Sequence, residues 1–438
     1  MTRWWTRSPL RKTGCRQGRL PLLPERLMTP CVKKPPLLVF ITTAPITLGS
    51  FFRGQFDYWK RKGFKVIAIS SPGNELNDLQ EKEGIETYAV PMVRGISPIQ
   101  DIPALMRLYA IFKKLRPTIV HASTPKAGLL AMICATAAGV PIRIFTVRGL
   151  MSEMPSPVSP VLKWLEKITC GMAHAVTANS HSVAQKLIEN KICGPGKIRV
   201  FGNGSSNGVD AEDLFNPGNI SVPEVLKLRD ELGIPASATV ITFAGRIVKD
   251  KGIVELAQAW EQLKKNFHDP CLLIIGETED GGGDIERTVS ALRKDPNVIF
   301  TGWVPKANMP VYYSLTDVLV LPTYREGFPN VILEASAMEI PVVATRVTGC
   351  VDAVVDGVTG CLVAPKDPDA LAVAIEMYIV DPQLRRQHGE AGRLRVLRDY
   401  RPELIWEALY EEYVRLMREK GIPFLPQGSG IDFSLCSK

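Results

Sequence analysis

From residue 37 onward, short runs of aliphatic and β-branched residues alternate with longer amphipathic stretches. Strand-like runs read at 37–41, 65–69, 86–90, 118–121, 143–147, 173–178 and 198–201. Helical spacing of apolar residues reads between them, at 50–62, 75–83, 100–115, 126–138, 158–171 and 181–189. The strand runs are apolar at nearly every position rather than at every second one, which belongs to strands covered on both faces. Strands alternating with helices predict a parallel sheet wrapped by helices.

A stretch rich in Gly, Asn, Ser and Pro at 202–218 then breaks the pattern and reads as loop and linker. A second series follows, with strands expected at 239–243, 271–275, 298–300, 318–321 and 341–344. Helices read at 252–266, 307–313, 330–338, 368–379 and 382–397. A last helix at 402–419 gathers Ile405, Trp406, Leu409, Tyr410, Tyr413 and Leu416 on one face. The expected architecture is α/β, with two doubly wound parallel-sheet domains facing a cleft. The N-terminal domain would span 35–210 and the C-terminal domain 211–400, with helix 401–420 packing back towards the first. Residues 1–34 and 421–438 have no period and read as disordered extensions. In such sheets ligands bind beyond the carboxyl ends of the strands, so two facing sheets bring two substrates into one cleft.

Charge changes the picture only at one end. The 438 residues carry a formal charge of +8, from 53 Lys and Arg against 45 Asp and Glu. Nine of those bases and a single acid, Glu25, lie within residues 1–34, which leaves the rest formally neutral. The basic pI therefore describes an extension and argues against a nucleic-acid binder. That extension reads as a start upstream of a true initiator at Met28, as a disordered tail, or as a basic arm on anionic lipid. No apolar run reaches the ~20 residues of a membrane span. No signal-peptide core is present either, so the expected location is cytoplasmic, with a peripheral hold on the inner membrane face. The nine cysteines are scattered without a Cys-x-x-Cys pair, which fits reduced thiols and gives no zinc spacing.

Two stretches carry chemistry. In the first, residues 324–338, Glu326 lies in a loop after the 318–321 strand and Pro329 opens a helix. The amide groups from Asn330 onward would face outward at that helix N-terminus and form a diphosphate site. Glu334 falls among Val331, Ile332, Leu333, Ala335 and Ala337, where a carboxylate needs hydrogen-bond partners; vicinal sugar hydroxyls would supply them. In the second stretch, a strand ends in Gly245, and Arg246 and Lys251 precede a helix opened by Gly252. Arg offers a bidentate fork to phosphate and Lys a point charge. Asp367 and Asp369 have the Asp-x-Asp form of some metal sites, but they precede a helix, where Asp367 reads as a cap. No metal and no cofactor are expected.

Taken together, Gly245-Arg246, Lys251-Gly252, the Glu326/Glu334 pair, Pro341 to Ala344, Gly349 and Asp356-Gly357 resemble the retaining glycosyltransferases of family 4, which have the GT-B fold. The resemblance covers about residues 37–419. It implies that Glu334 binds the donor ribose, that Glu326 lies beside the transferred sugar, and that Arg246 and Lys251 hold the donor diphosphate. It further implies donor contacts from Gly245, Gly276, Val304, Gly327, Phe328, Pro329 and Asn330. Gly49, placed in the first strand–helix loop, would open the cleft. Residues 71–73, 90–94, 123–128 and 204–210 are similar to a narrower group, the capsular-polysaccharide and lipid-linked oligosaccharide transferases. Many members of family 4 carry His-Gly where this chain has Arg148-Gly149, so a histidine role does not transfer. Arg148, Lys126 and Arg94, with His121 beside them, would instead suit an acceptor diphosphate, although His121 also reads as a structural histidine.

The function implied is transfer of a hexose or N-acetylhexosamine, with retention and without metal, from a nucleoside-diphosphate sugar to a glycan. A UDP-sugar is the favoured donor and a polyprenyl-diphosphate-linked glycan the favoured acceptor. The rivals are a transferase with a soluble acceptor, a nucleotide-sugar epimerase or glycan phosphorylase on the same fold, and a degenerate transferase acting as a binding module. Intact Glu326, Glu334, Arg246 and Lys251 argue against the last, and no pyridoxal lysine context supports a phosphorylase.

Overall fold

The computed structural model describes residues 34–424, apart from 53, 94, 96, 154–156, 268, 280 and 281. The expected disorder of residues 1–33 and 425–438 and the acceptor role of Arg94 lie outside the described residues, whereas Ile422 and Phe424, in the tail expected to be disordered, pack against the core, with the Phe424 ring 4.9 Å from that of Phe64.

The first half of the chain forms β1 Leu37–Ile41, α1 Pro45–Phe51, α2 Gln55–Arg61, β2 Lys65–Ser70, α3 Asn74–Lys82, β3 Glu86–Ala89 and α4 Pro98–Leu115. It continues with β4 Ile119–Ser123, α5 Pro125–Ala138, β5 Ile142–Val147, α6 Ser159–Met172, β6 Ala175–Ala178, α7 His181–Glu189 and β7 Ile198–Arg199. The second half begins with α8 Val222–Glu231, β8 Thr239–Ala244, α9 Ile253–Asn266, β9 Pro270–Ile275, α10 Gly283–Leu292, β10 Val298–Gly302 and α11 Met309–Tyr313. Then come β11 Val318–Leu321, α12 Asn330–Ala337, β12 Val342–Thr345, α13 Cys350–Ala353, β13 Gly360–Val363, α14 Pro368–Val380, α15 Pro382–Asp399 and α16 Pro402–Glu419.

The strands form two parallel sheets, ordered β3-β2-β1-β4-β5-β6-β7 and β10-β9-β8-β11-β12-β13. Each order reverses once, at β1/β4 in the first sheet and at β8/β11 in the second. A crevice opens beyond the carboxyl ends at such a switch point. The strands that define the switch points are almost wholly buried: β1, β4, β8 and β11 show a single half-exposed residue only at the start of β1 and of β8. Continuous apolar runs are what such doubly covered strands require.

Each sheet has core on both faces. In the first sheet one core joins α4, α5, α6 and α7 through Leu108, Phe112, Leu130, Cys170 and Val183. The other joins α1, α2 and α3 to α16, through Phe56, Trp59, Leu76, Trp406 and Tyr413. Trp59 and Tyr413 rings lie 4.8 Å apart, and Tyr58 Oη donates to Glu407 at 2.6 Å. The last described helix thus completes a core begun by the first described ones.

The structure departs from expectation in several places. The helix read over 50–62 is two helices, broken at Gly54, whose backbone takes φ 75° beside the Trp406 ring. Gly49 was expected in a loop, but it lies within α1, because Pro45 starts that helix immediately after β1 and Leu48 is buried beneath it. Helices α8, α10 and α13 and strand β13 were not anticipated. α10 starts at Gly283 within a Gly-rich acidic stretch that reads as loop, and β13 is four residues long at a sheet edge. Asp367 accepts from Ala370 N–H at 2.9 Å, so it caps α14 as expected.

Candidate active site

The carboxyl edge of the second sheet is stitched across its switch point. The turn after β8 carries Arg246 and Lys251; the loop after β11 carries Tyr324 to Pro329. Tyr324 N–H donates to Asp250 O at 2.8 Å, and Arg325 pairs with Asp250 at 3.2 Å. Gly252 permits this approach: a Cβ there would stand 1.9 Å from Pro322 O, and its φ of +74° is one that L side chains rarely adopt. Stitching the loops brings Lys251 into an ion pair with Glu326, both side chains 16% exposed. Arg246 pairs with Glu279 at 2.7 Å, with both side chains about half exposed. A pair so wet contributes only ~0–1 kcal/mol and can be exchanged for another anion at little cost.

Glu334 lies on α12, 8% exposed. Its carboxylate meets Lys306 at 3.1 Å and accepts from Tyr313 Oη at 3.3 Å. Burial holds the Tyr313 hydroxyl well above its ordinary pKa, and the neighbouring Glu334 charge adds to this, so Tyr313 keeps the proton it donates to Glu334. Val304 is buried two residues before Lys306. Gly245 and Gly276 sit at adjacent strand ends, with Gly245 N–H donating to Ile275 O and Gly276 N–H to Gly302 O. Gly245, Gly276, Val304, Glu326 and Glu334 therefore all fall along one sheet edge.

Across the cleft, the two halves meet backbone to backbone. A Cβ on Gly327 would lie 1.8 Å from Arg148 O, so only glycine allows this contact. Asn179, with its amide oriented to satisfy both groups, donates to Val147 O at 3.3 Å and accepts from Phe328 N–H at 3.2 Å. Phe328 packs against the Tyr400 ring at 5.5 Å. The Asp352 carboxylate accepts from His181 N–H at 3.1 Å and from Ser182 N–H at 3.2 Å, at the N-terminus of α7. An anion at the positive end of a helix is stabilised there. Pro329 is the residue before α12 rather than its first, and its carbonyl accepts from Ile332 N–H at 3.2 Å.

The residues expected to take an acceptor diphosphate are not gathered as one cluster. Arg148 reaches the cleft, half-buried with its guanidinium 5.5 Å from the Phe52 ring centre, and burial pushes its pKa down to about 9. Lys126 is held by Asp101 at 2.5 Å with little exposure, so its charge is already matched. His121 is buried, with Nδ1 at 2.5 Å from Tyr413 Oη and Nε2 at 2.5 Å from Thr146 Oγ1. Burial, aided by the Arg148 charge, lowers its pKa to about 3. With both ring nitrogens engaged, His121 ties α16 to the sheet at the lining of the cavity it shares with Arg148.

Sequence reasoning missed Lys306, Tyr313, Asn179, Glu279 and Asp352. Lys306 stands two residues beyond Val304, which was already expected among the donor contacts. The others carried no local signal, because each acts on a residue distant in sequence.

Two parallel sheets with this switch-point chemistry define a GT-B glycosyltransferase. The chain belongs to glycosyltransferase family 4. Residues 55–210 match the family 4 glycosyltransferase model and residues 225–395 the model for glycosyl transferases group 1. The chain is 37% identical over 369 residues to the capsular polysaccharide biosynthesis glycosyltransferase CapM of Staphylococcus aureus, covering 84% of this chain and 94% of that one. It is 27% identical over 329 residues, 73% of this chain and 81% of the relative, to the UDP-Gal:alpha-D-GlcNAc-diphosphoundecaprenol alpha-1,3-galactosyltransferase of Escherichia coli. Among solved structures, Anabaena HepE in complex with UDP-glucose superposes with a TM-score of 0.72 at 19% identity, covering 86% of this chain and 99% of that one. That likeness supports the fold.

Proposed function

We infer that the protein transfers a sugar from a nucleoside-diphosphate sugar, with UDP favoured, to a glycan on a polyprenyl diphosphate, as a step in cell-surface polysaccharide synthesis. The observation that carries this reading is the Lys251–Glu326 pair at the switch point, beside a Glu334 held by Lys306 and Tyr313. A buried Glu334 carboxylate held in a fixed orientation by Lys306 and Tyr313 suits the vicinal hydroxyls of a ribose. Lys251 and Arg246 each hold a carboxylate that an incoming diphosphate can displace. Once Lys251 turns to phosphate, Glu326 is left facing the sugar. Names of relatives support the rest: one acts in capsular polysaccharide biosynthesis, and another uses a UDP-sugar and a diphosphoundecaprenol acceptor. A lipid acceptor calls for a peripheral membrane location, and no helix among the described residues is long and apolar enough to cross a membrane.

In the reaction, the bond from the sugar anomeric carbon to the donor phosphate oxygen breaks as the bond to the acceptor hydroxyl oxygen forms on the same face. The hydroxyl proton passes to the departing phosphate oxygen, so no protein base is needed, in keeping with Arg148 where other members have histidine. Lys251, Arg246 and the amides opening α12 stabilise the charge that grows on the leaving diphosphate, the role a metal fills in other transferases. The test is transfer from a panel of nucleotide sugars to lipid-linked acceptors, with anomeric configuration read by NMR. Glu326→Ala and Arg246→Ala should each lower turnover by roughly 10²–10³-fold with the fold intact. Full activity in both variants, or an inverted product, would overturn the reading.

A further inference from the structure

The carboxyl ends of β4, β5 and β6 close around a small cavity. Ser123 ends β4, Arg148 follows β5 and Asn179 follows β6. Gln55, at the start of α2, and Ser206, in the loop after β7, line the cavity as well, and Phe52, Ile405 and Leu409 form an apolar wall. Its volume is about 20 Å³, room for roughly one particle the size of water. Three side chains on separate elements bring it polar atoms that have no hydrogen-bond partner among the described residues: Ser123 Oγ, Gln55 Oε1 and Ser206 Oγ. Ser123 and Gln55 are each 1% exposed. The other hydroxyls there are engaged, with Thr146 Oγ1 at 2.6 Å from Thr177 Oγ1 and Ser205 Oγ accepting from Gly208 N–H at 3.0 Å. Buried polar atoms are rarely left without a partner, so a group of them around one cavity marks a ligand.

Charge selects what fills the cavity. Among the described residues that line it, Arg148 carries the only formal charge. His121 lines it too, but stays neutral because burial, aided by Arg148, lowers its pKa to about 3. An anion gains from the guanidinium where a water molecule does not. The two serine hydroxyls can donate to it, and the Gln55 amide, turned over, adds an N–H. The apolar wall favours an ion that sheds its water readily. The volume suits a single atom, not a phosphate carried on a larger molecule. The position also gives the ion a task. Arg148 and Asn179, which both line the cavity, are the residues that meet Gly327 and Phe328 across the cleft.

We propose that this cavity is a halide site, filled by chloride, that fixes Arg148 and Asn179 where the two halves of the protein touch. The full-length protein is melted by scanning calorimetry in potassium chloride, potassium bromide and potassium glutamate at equal concentration. Each response is read against Arg148→Met, which shares the general effects of the salts on stability. Crystals soaked in bromide are examined for anomalous scattering. Both halides should raise the melting temperature of the wild type, relative to that variant, saturably and by about 2 °C or more, and bromide should lie between Ser123 and Arg148. Ser123→Ala keeps the charge and removes one unpartnered hydroxyl. It should melt at or above the wild type in glutamate and show less than half of the wild-type halide response. Equal responses of wild type and Arg148→Met would overturn the proposal. So would a Ser123→Ala variant destabilised to the same extent in every salt, the mark of a bridging water. Bromide in the cavity without halide-selective stabilisation would be an adventitious ion only, and would overturn it as well. None of these outcomes depends on the sugar-transfer reading above.

Discussion

The two sheets present their carboxyl edges to one cleft, yet the edges differ in kind. The edge of the second sheet is ionic: Lys251 with Glu326, Arg246 with Glu279, and Lys306 with Glu334. That of the first is largely neutral, with His121, Thr146 and Thr177 bonded in series and Ser123 and Gln55 buried beside them. Paired charges in partial contact with water can change partners when a phosphate arrives, whereas a neutral buried network resists change. The first arrangement suits a site that binds and releases an anion. The second suits a fixed wall against which an acceptor is placed, with Arg148 as its charged group.

This contrast can be broken at the point where the edges touch. Gly327→Ala puts a methyl group into Arg148 O and should force the halves apart. Turnover should fall by up to about 10²-fold, since misplacement by about an ångström has that effect, while donor affinity measured by calorimetry stays within a few-fold of wild type. Equal loss of donor affinity would mean that the contact belongs to the donor site itself.

A smaller effect sharpens the neutral side. His121 has its pKa lowered from an ordinary 6.5 to about 3. Between those values the unfolded chain binds a proton that the folded chain does not, so stability is complete above pH 6.5 and falls as the solution is acidified towards pH 3. The slope from this one residue approaches ~1.4 kcal/mol per pH unit. Urea unfolding of wild type and His121→Asn at pH 7 and pH 5 should show a smaller pH-induced loss in the variant. An identical loss would mean that His121 is not held neutral.

The sequence made the ionic edge readable and left the neutral one obscure. Glu326, Glu334, Arg246 and Lys251 stand in two local stretches, each tied to a strand end and a helix start, and the structure sets both stretches at one switch point. α16 was readable over its whole length because six apolar residues repeat on one face. What failed to show depends on distance in the chain. The break at Gly54 is made against Trp406, and Glu334 draws its partners from α11 and the turn before it. His121 read as either a cleft or a structural residue until Tyr413, 292 positions away, supplied its partner. Lys126 looked available because Asp101 lies on another helix.

The central claim is that the ionic edge exchanges its internal carboxylates for a nucleotide diphosphate. The most direct measurement is calorimetric titration of UDP, ADP and GDP into wild type, Lys251→Ala and Tyr313→Phe. At least one nucleotide should bind the wild type. Lys251→Ala should weaken it by about tenfold or more, the loss of one charge-assisted bond, and Tyr313→Phe by a smaller factor through a loosened Glu334. Wild-type affinity in Lys251→Ala, or no binding of any of the three nucleotides, would contradict the account.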